Sequence, residues 1–163
     1  MANYEVVDNF LNKKDFLKIK NQMEAFNFPY YLNKKINVYH DENDLSCYFT
    51  HVVYSPATGE NEFFNVFKPL IKKLNGKELI RVKCNLYLRT PKIEFNQPHA
   101  DFDFEHKGAL FSLNTNDGGT ILNENEKIDS VENRILFFDP SKKHNSTTTT
   151  NAKFRMNINI NYT

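Results

Sequence analysis

The sequence predicts an α+β fold, two helices followed by six or more strands, with the helices covering one face of an antiparallel sheet structure. Three observations carry this. Two helical periodicities precede Glu78, short β-rich segments follow it, and the last of these has one apolar and one polar face.

The first helix is predicted from NKKDFLKIKNQMEAFNF. It puts Phe16, Ile19, Met23 and Phe26 on one face, with Asn12 as N-cap and Pro29 beyond the end. Residues 30–57 mix short β-like pieces with a polar turn at HDEND. The second helical stripe, in ENEFFNVFKPLIKKLNG, runs through Phe63, Phe67, Leu70, Ile71 and Leu74 and stops at Asn75-Gly76. Pro69 within it predicts a kink or a new start.

From Glu78 onward ELIRVKCNLYLRT, HADFDF, GALFSLN, GTILN, NRILFFD and KFRMNININ read as strands, separated by turn signals such as NTNDGG and DPSKK. In the last, Phe154, Met156, Ile158 and Ile160 share one face, while Arg155, Asn157, Asn159 and Asn161 share the other. The polar face either meets solvent or lines a wet cavity inside a double-sheet barrel. With no repeat and no linker, residues 1–163 read as a single domain, helical support over about 1–77 and a β core over about 78–163.

Composition narrows the function. At 40% apolar and 25% charged residues the chain is globular rather than disordered, and a net charge of +1 with no Lys/Arg cluster longer than paired lysines gives no electrostatic case for strong nucleic-acid or membrane binding. No apolar run approaches a membrane span and the N-terminus is no signal peptide, so a cytoplasmic location is expected. Cys47 and Cys84 are far apart and outside any CxxC spacing, which predicts free thiols in a reducing compartment.

The chemistry concentrates in NQPHADFD. In a strand, His99 and Asp101 project to one face, where an imidazole and a carboxylate form a ligand pair for a divalent metal, while Ala100 and Phe102 face away and Asp103 shares the ligand side. A lone H-x-D is weak evidence, since about 0.3 matches arise by chance in such a composition. His40-Asp41-Glu42 is a second match, in a polar turn where side chains need not converge. A two-histidine, one-carboxylate triad needs a further histidine, and His144 follows the NRILFFD segment. Arg155, one of only four arginines, lies eleven residues beyond it on the polar side of the last strand, where its fork could hold a dicarboxylate bidentately.

In this order of residues, His99-Ala100-Asp101, His144 and Arg155 in FRMNI, the sequence resembles the Fe(II)/2-oxoglutarate-dependent dioxygenases. It is most similar to their small prolyl 4-hydroxylase-like members, including those of phages. The NLYLR strand, the DGGT turn and the approach NRILFFDPSKKH support the resemblance, which covers roughly residues 79 to 161. It implies a double-stranded β-helix (jelly-roll) core with supporting helices, Fe(II) on His99, Asp101 and His144, and O2 and 2-oxoglutarate as cosubstrates. Arg155 would hold the distal carboxylate of 2-oxoglutarate, Thr120 would bond the same carboxylate, and Tyr87 would line its pocket. Where relatives carry a further tyrosine this sequence has Phe111, and Asn157 stands two residues past the arginine.

The implied reaction is hydroxylation of a prolyl residue in a peptide or protein, with succinate and CO2 as coproducts. The implied location is the cytoplasm, including that of a virus-infected host cell. Residues 40–58 are expected to form a lid or peptide groove, His51 and His106 to sit at the pocket rim or surface, and TTTT at 147–150 to be a solvated turn. Two other readings stay open: an oxygenase of the same superfamily acting on nucleic acid or a small molecule, and a non-enzymatic jelly-roll binding module in which H-x-D is surface decoration.

Overall fold

The computed structural model describes residues 4–34 and 47–163. In chain order the elements are β1 (Tyr4–Val7), α1 (Lys13–Glu24), β2 (Tyr31–Asn33), β3 (Tyr48–Ser55), β4 (Gly59–Glu60), α2 (Phe64–Leu74), β5 (Leu79–Leu88), β6 (Lys107–Ser112), β7 (Gly119–Leu122), β8 (Glu126–Asp129), β9 (Ile135–Phe138), β10 (His144–Ser146) and β11 (Phe154–Tyr162). They build two antiparallel sheets, a major one ordered β1-β9-β6-β11-β5-β3-β2, with β4 added on β3, and a minor one ordered β10-β7-β8.

Both helices form where periodicity places them. The Asn12 side chain accepts from Asp15 N at 2.9 Å and caps α1, a bond of about 1 kcal/mol. Phe16, Ile19 and Met23 are buried as expected, but Phe26 is fully exposed, because α1 ends at Glu24 and Ala25 is already extended. Helix α2 passes through Pro69 and ends at Asn75, whose left-handed backbone (φ 54°) stops it. Pro69 has no N–H to give Asn65 O, and Asn65 is exposed, where such a gap costs least. The buried Phe64, Phe67 and Leu70 hold the helix in place despite the proline.

The apolar face of the major sheet packs under the helices. Phe111 on β6 meets Phe10 and Phe16 edge-on at 6.4 and 6.1 Å, and Met156, Ile158 and Ile160 on β11 join the same core. Burying a phenylalanine as completely as Phe67 or Phe111 stabilises the fold by roughly 2–3 kcal/mol. The opposite face is polar yet covered. Arg155, Asn157, Asn159 and Asn161 are all at most 6% exposed, which decides for the lined cavity over the solvated face.

Several sequence expectations are corrected here. The first 77 residues supply β1 to β4 as well as both helices, so helical support and β core are not sequential. HADFDF is not a strand. His99 makes one isolated bridge to His144, with N–H to O distances of 2.9 Å both ways, and Asp101 N donates instead to Pro140 O. Further bridges, Phe95 to Thr147 and Arg89 to Thr149, run the 89–99 segment alongside β10 and the chain after it.

In TTTT, Thr147 and Thr149 are fully buried, because Asp117 accepts from Thr149 Oγ1 and Thr150 N and fixes the turn inward. Of the expected 40–58 lid, CYFTHVVY largely forms β3 inside the major sheet, paired to β5 and β2. The HDEND turn and His40-Asp41-Glu42 lie outside the described residues. Cys47 is exposed and Cys84 buried, and both are free thiols.

Candidate metal centre

The polar cavity lies between the two sheets. Antiparallel register sets its floor: on β5 and β11 the pairs Arg81–Asn161, Lys83–Asn159, Asn85–Asn157 and Tyr87–Arg155 fall opposite one another, and alternation turns all eight side chains to one side. The space between the sheets amounts to about 430 Å³, partly open to solvent, and its walls include Tyr48, Lys83, Tyr87, His99, His144 and Asn159.

His99, Asp101 and His144 converge at this cavity, with one ligand atom from each lying within 4.8 Å of the others. His99 Nε2 is 3.8 Å from Asp101 Oδ1, and the two imidazole rings are 4.8 Å apart. These three residues would hold one divalent ion, and both rings are turned so that they would ligate it. His99 Nδ1–H donates to Gln97 O at 3.2 Å and His144 Nδ1–H to Lys142 O at 2.9 Å, which leaves each Nε2 lone pair free. Burial, then the neighbouring His144, pulls His99 down to about 4, and burial also lowers His144. Both imidazoles are therefore neutral at neutral pH, the form that ligates a metal.

Asp101 is fixed from behind. Its Oδ2 accepts from Asn159 Nδ2 at 3.0 Å and Asn161 Nδ2 at 2.9 Å, and its Oδ1 lies 3.1 Å from Arg81 Nη2. Burial works to raise its pKa, but Arg81 and then Lys83 outweigh this and hold the carboxyl well below the usual range. Asn161 is central, since it also accepts from Arg81 Nε at 3.2 Å and donates to His106 Nε2 at 3.1 Å. His106 is thus a buried support rather than a rim residue. His51 is buried as well, among Phe28, Tyr31 and Phe63 on the helical side. Asp103 is exposed.

Arg155 is 1% exposed, its guanidinium bonded through Nη1 to Thr147 O and through Nη2 to Thr120 Oγ1, each at 3.2 Å. It lies 5.2 Å over the Tyr87 ring, and the Tyr87 hydroxyl accepts from Ser146 at 3.1 Å. Among the described residues no carboxylate pairs with Arg155, and its Nε has no partner. Asn85 Oδ1, Asn157 Nδ2 and Asn159 Oδ1 are likewise buried without partners. A buried unpaired cation beside orphaned amides is costly, and an anionic, polar occupant would relieve that cost.

Thr120 and Tyr87 line the cavity beside Arg155. Phe111 does not line it: it faces the helices, and the β6 side chain that lines the cavity is Leu110. Arg81, Lys83 and Tyr48 (stacked on Tyr87 at 5.1 Å) were not singled out from the sequence, and Asn161 was placed on the polar face of the last strand without a role. For β5 a signal existed, since RVKCNLY alternates Arg81, Lys83, Asn85 and Tyr87 against Val82, Cys84 and Leu86 just as the last strand does.

These features define a class of protein: two antiparallel sheets of a double-stranded β-helix, buttressed by helices on one face, with a His/Asp/His cluster inside. Particular solved structures share the fold. A prolyl hydroxylase from Trichoplax adhaerens, in complex with a hypoxia-inducible-factor oxygen-degradation-domain peptide, matches with TM-score 0.68 at 16% identity over 99% of this chain and 84% of that one. A prolyl-4-hydroxylase from Pseudomonas putida matches with TM-score 0.63 at 12% identity, over 98% and 92%. A 2-oxoglutarate–Fe(II) oxygenase family protein from Burkholderia pseudomallei matches with TM-score 0.69 at 10% identity, over 99% and 85%. No family model and no curated protein matches the sequence. Among the described residues no helix is long and apolar enough to cross a membrane.

Proposed function

We propose that residues 1–163 act as one Fe(II)- and 2-oxoglutarate-dependent dioxygenase domain that hydroxylates a prolyl residue of a peptide or protein. The observation that carries this is the pairing of two sites in one cavity: His99, Asp101 and His144 in reach of a common ion, and Arg155 buried without an anionic partner. His99, Asp101 and His144 would hold the iron. When bound, it would supply O2 activation coupled to conversion of 2-oxoglutarate to succinate and CO2, the second oxygen atom going to the substrate as hydroxyl.

The chain's residues do the rest. Arg155 and Thr120 take the distal carboxylate, with charge-assisted bonds that restore the solvation the guanidinium lost on burial. Tyr87, stacked between Tyr48 and Arg155, walls that end against water. Asn159, Asn161 and Arg81 keep Asp101 ionised and oriented. The prolyl assignment is supported by the resemblance and by two fold neighbours being prolyl hydroxylases, one of them with a peptide. The exposed rings of Phe95 and Phe104 flank the ligand segment in sequence and offer apolar surface to a peptide.

The test adds Fe(II) and 2-oxoglutarate anaerobically to metal-free protein and follows the weak visible charge-transfer absorption. Absorption that is lost in His99→Ala, and that needs far more 2-oxoglutarate in Arg155→Ala, is expected. Its absence from folded, metal-loaded protein would refute the oxygenase reading. Mass spectrometry of proline-containing peptides after aerobic turnover then tests for a gain of one oxygen atom on proline.

A further inference from the structure

Besides Arg155, the cavity contains a cation whose only role so far is to help hold Asp101 ionised. Lys83 projects from β5 into the space lined by His99, His144 and Asn159. Among the described residues, no carboxylate lies at ion-pair distance from its ammonium and no hydrogen-bond acceptor is assigned to it; its nearest aromatic contact is the Tyr48 ring, at 5.8 Å. Arg81, two residues away on the same face, is already paired with Asp101. Of the two, Lys83 is the one without an ion pair, although its charge also acts on Asp101.

Its position in the register matters. Lys83 lies opposite Asn159, which bonds Asp101, so it stands at the level of the metal ligands. Arg155 lies opposite Tyr87, four residues further along β5, about 13 Å away along the strand. A five-carbon diacid, about 5 Å between its carboxyl carbons, covers that gap together with the inward reach of an arginine and a lysine side chain. On β5 and β11 the pair between the two cations is Asn85–Asn157, amide bonded to amide at 2.8 Å.

We propose that Lys83 is the second anion-binding group of the cavity and holds the carboxylate next to the keto group of 2-oxoglutarate, at the end opposite Arg155. The assignment rests on the oxygenase reading and adds to it that the cosubstrate is held by protein charge at both ends, before any metal is present. Burial, followed by the nearby Arg81, lowers Lys83 to about 8 against the opposing pull of Asp101. An anion in the cavity relieves that cost.

The experiment is calorimetric binding to metal-free protein in chelator at pH 7, with 2-oxoglutarate and with 4-oxobutanoate, which lacks the keto-side carboxylate. Lys83→Gln should weaken 2-oxoglutarate roughly tenfold or more and leave 4-oxobutanoate unchanged, whereas Arg155→Gln should weaken both. Wild-type protein should itself prefer 2-oxoglutarate by a similar factor, which keeps the test decisive if Lys83→Gln does not fold. An unchanged 2-oxoglutarate affinity in folded Lys83→Gln, or a wild-type preference near one, would overturn the Lys83 role while leaving the oxygenase reading intact. No Arg155-dependent binding of 2-oxoglutarate to wild-type protein, with or without Mn(II), would overturn both.

Discussion

Arg81 Nη2 lies 3.1 Å from Asp101 Oδ1, so the carboxylate of the His99/Asp101/His144 cluster is ion-paired within the protein itself. The pair is enclosed, with 19% and 2% of the two side chains exposed, and the guanidinium also lies 4.8 Å over the Phe102 ring. Asp101 can therefore stay ionised in a place that burial alone would make it leave.

Arg81→Met should cost the metal-free protein about 3 kcal/mol, since it leaves a buried carboxylate without its cation. Saturating Mn(II) should recover much of that loss, because a divalent ion replaces the missing charge. Urea unfolding of both proteins with and without Mn(II) measures this. An equal loss in both conditions would mean that Arg81 supports the fold and not the charge balance of the cluster.

Gly118 gives Arg155 its room. A Cβ there would stand 2.8 Å from Arg155 Cδ and 2.9 Å from Asn116 Oδ1, and would run into the Thr148 carbonyl. Gly118→Ala is expected to destabilise the protein by about 1–3 kcal/mol through overpacking and to raise the 2-oxoglutarate concentration needed for half-saturation by roughly tenfold. Thermal unfolding and ligand titration on the same sample check both. Unchanged ligand affinity in a destabilised variant would separate the turn from the Arg155 pocket.

Acid should loosen the metal-free protein well above the carboxylate range. His99 titrates at about 4 when folded against 6.5 when unfolded, burial being the main cause. Between those values the unfolded chain binds the extra proton, so stability is full above pH 6.5 and falls as pH drops towards 4. For His99 alone this amounts to about 2 kcal/mol between pH 7 and pH 5. His144, shifted the same way, adds to it. Denaturant unfolding in chelator at the two pH values should show the loss, with a shallower dependence in His99→Gln. Identical slopes would place the histidine outside the buried environment described here.

Much of this protein is legible in its sequence because the relevant physics is local. Helical stripes and an asparagine cap fixed α1 and α2, and period-two alternation sorted the last strand into its apolar and polar faces. The residue types of His99, Asp101, His144 and Arg155 pointed to the candidate site, since imidazoles with a carboxylate suit a divalent metal and a guanidinium suits a carboxylate. What alternation cannot say is which face is covered, or what stands across from it. Only the tertiary structure shows that the polar face of β11 is buried, that Phe111 faces the helices, and that TTTT turns inward around Asp117. Only the tertiary structure joins Asp101 to Asn159 and Asn161, contacts 58 and 60 residues apart in the chain. Such pairings depend on sheet order and register, and hydrophobic patterning within one strand holds no record of the strand that closes over it.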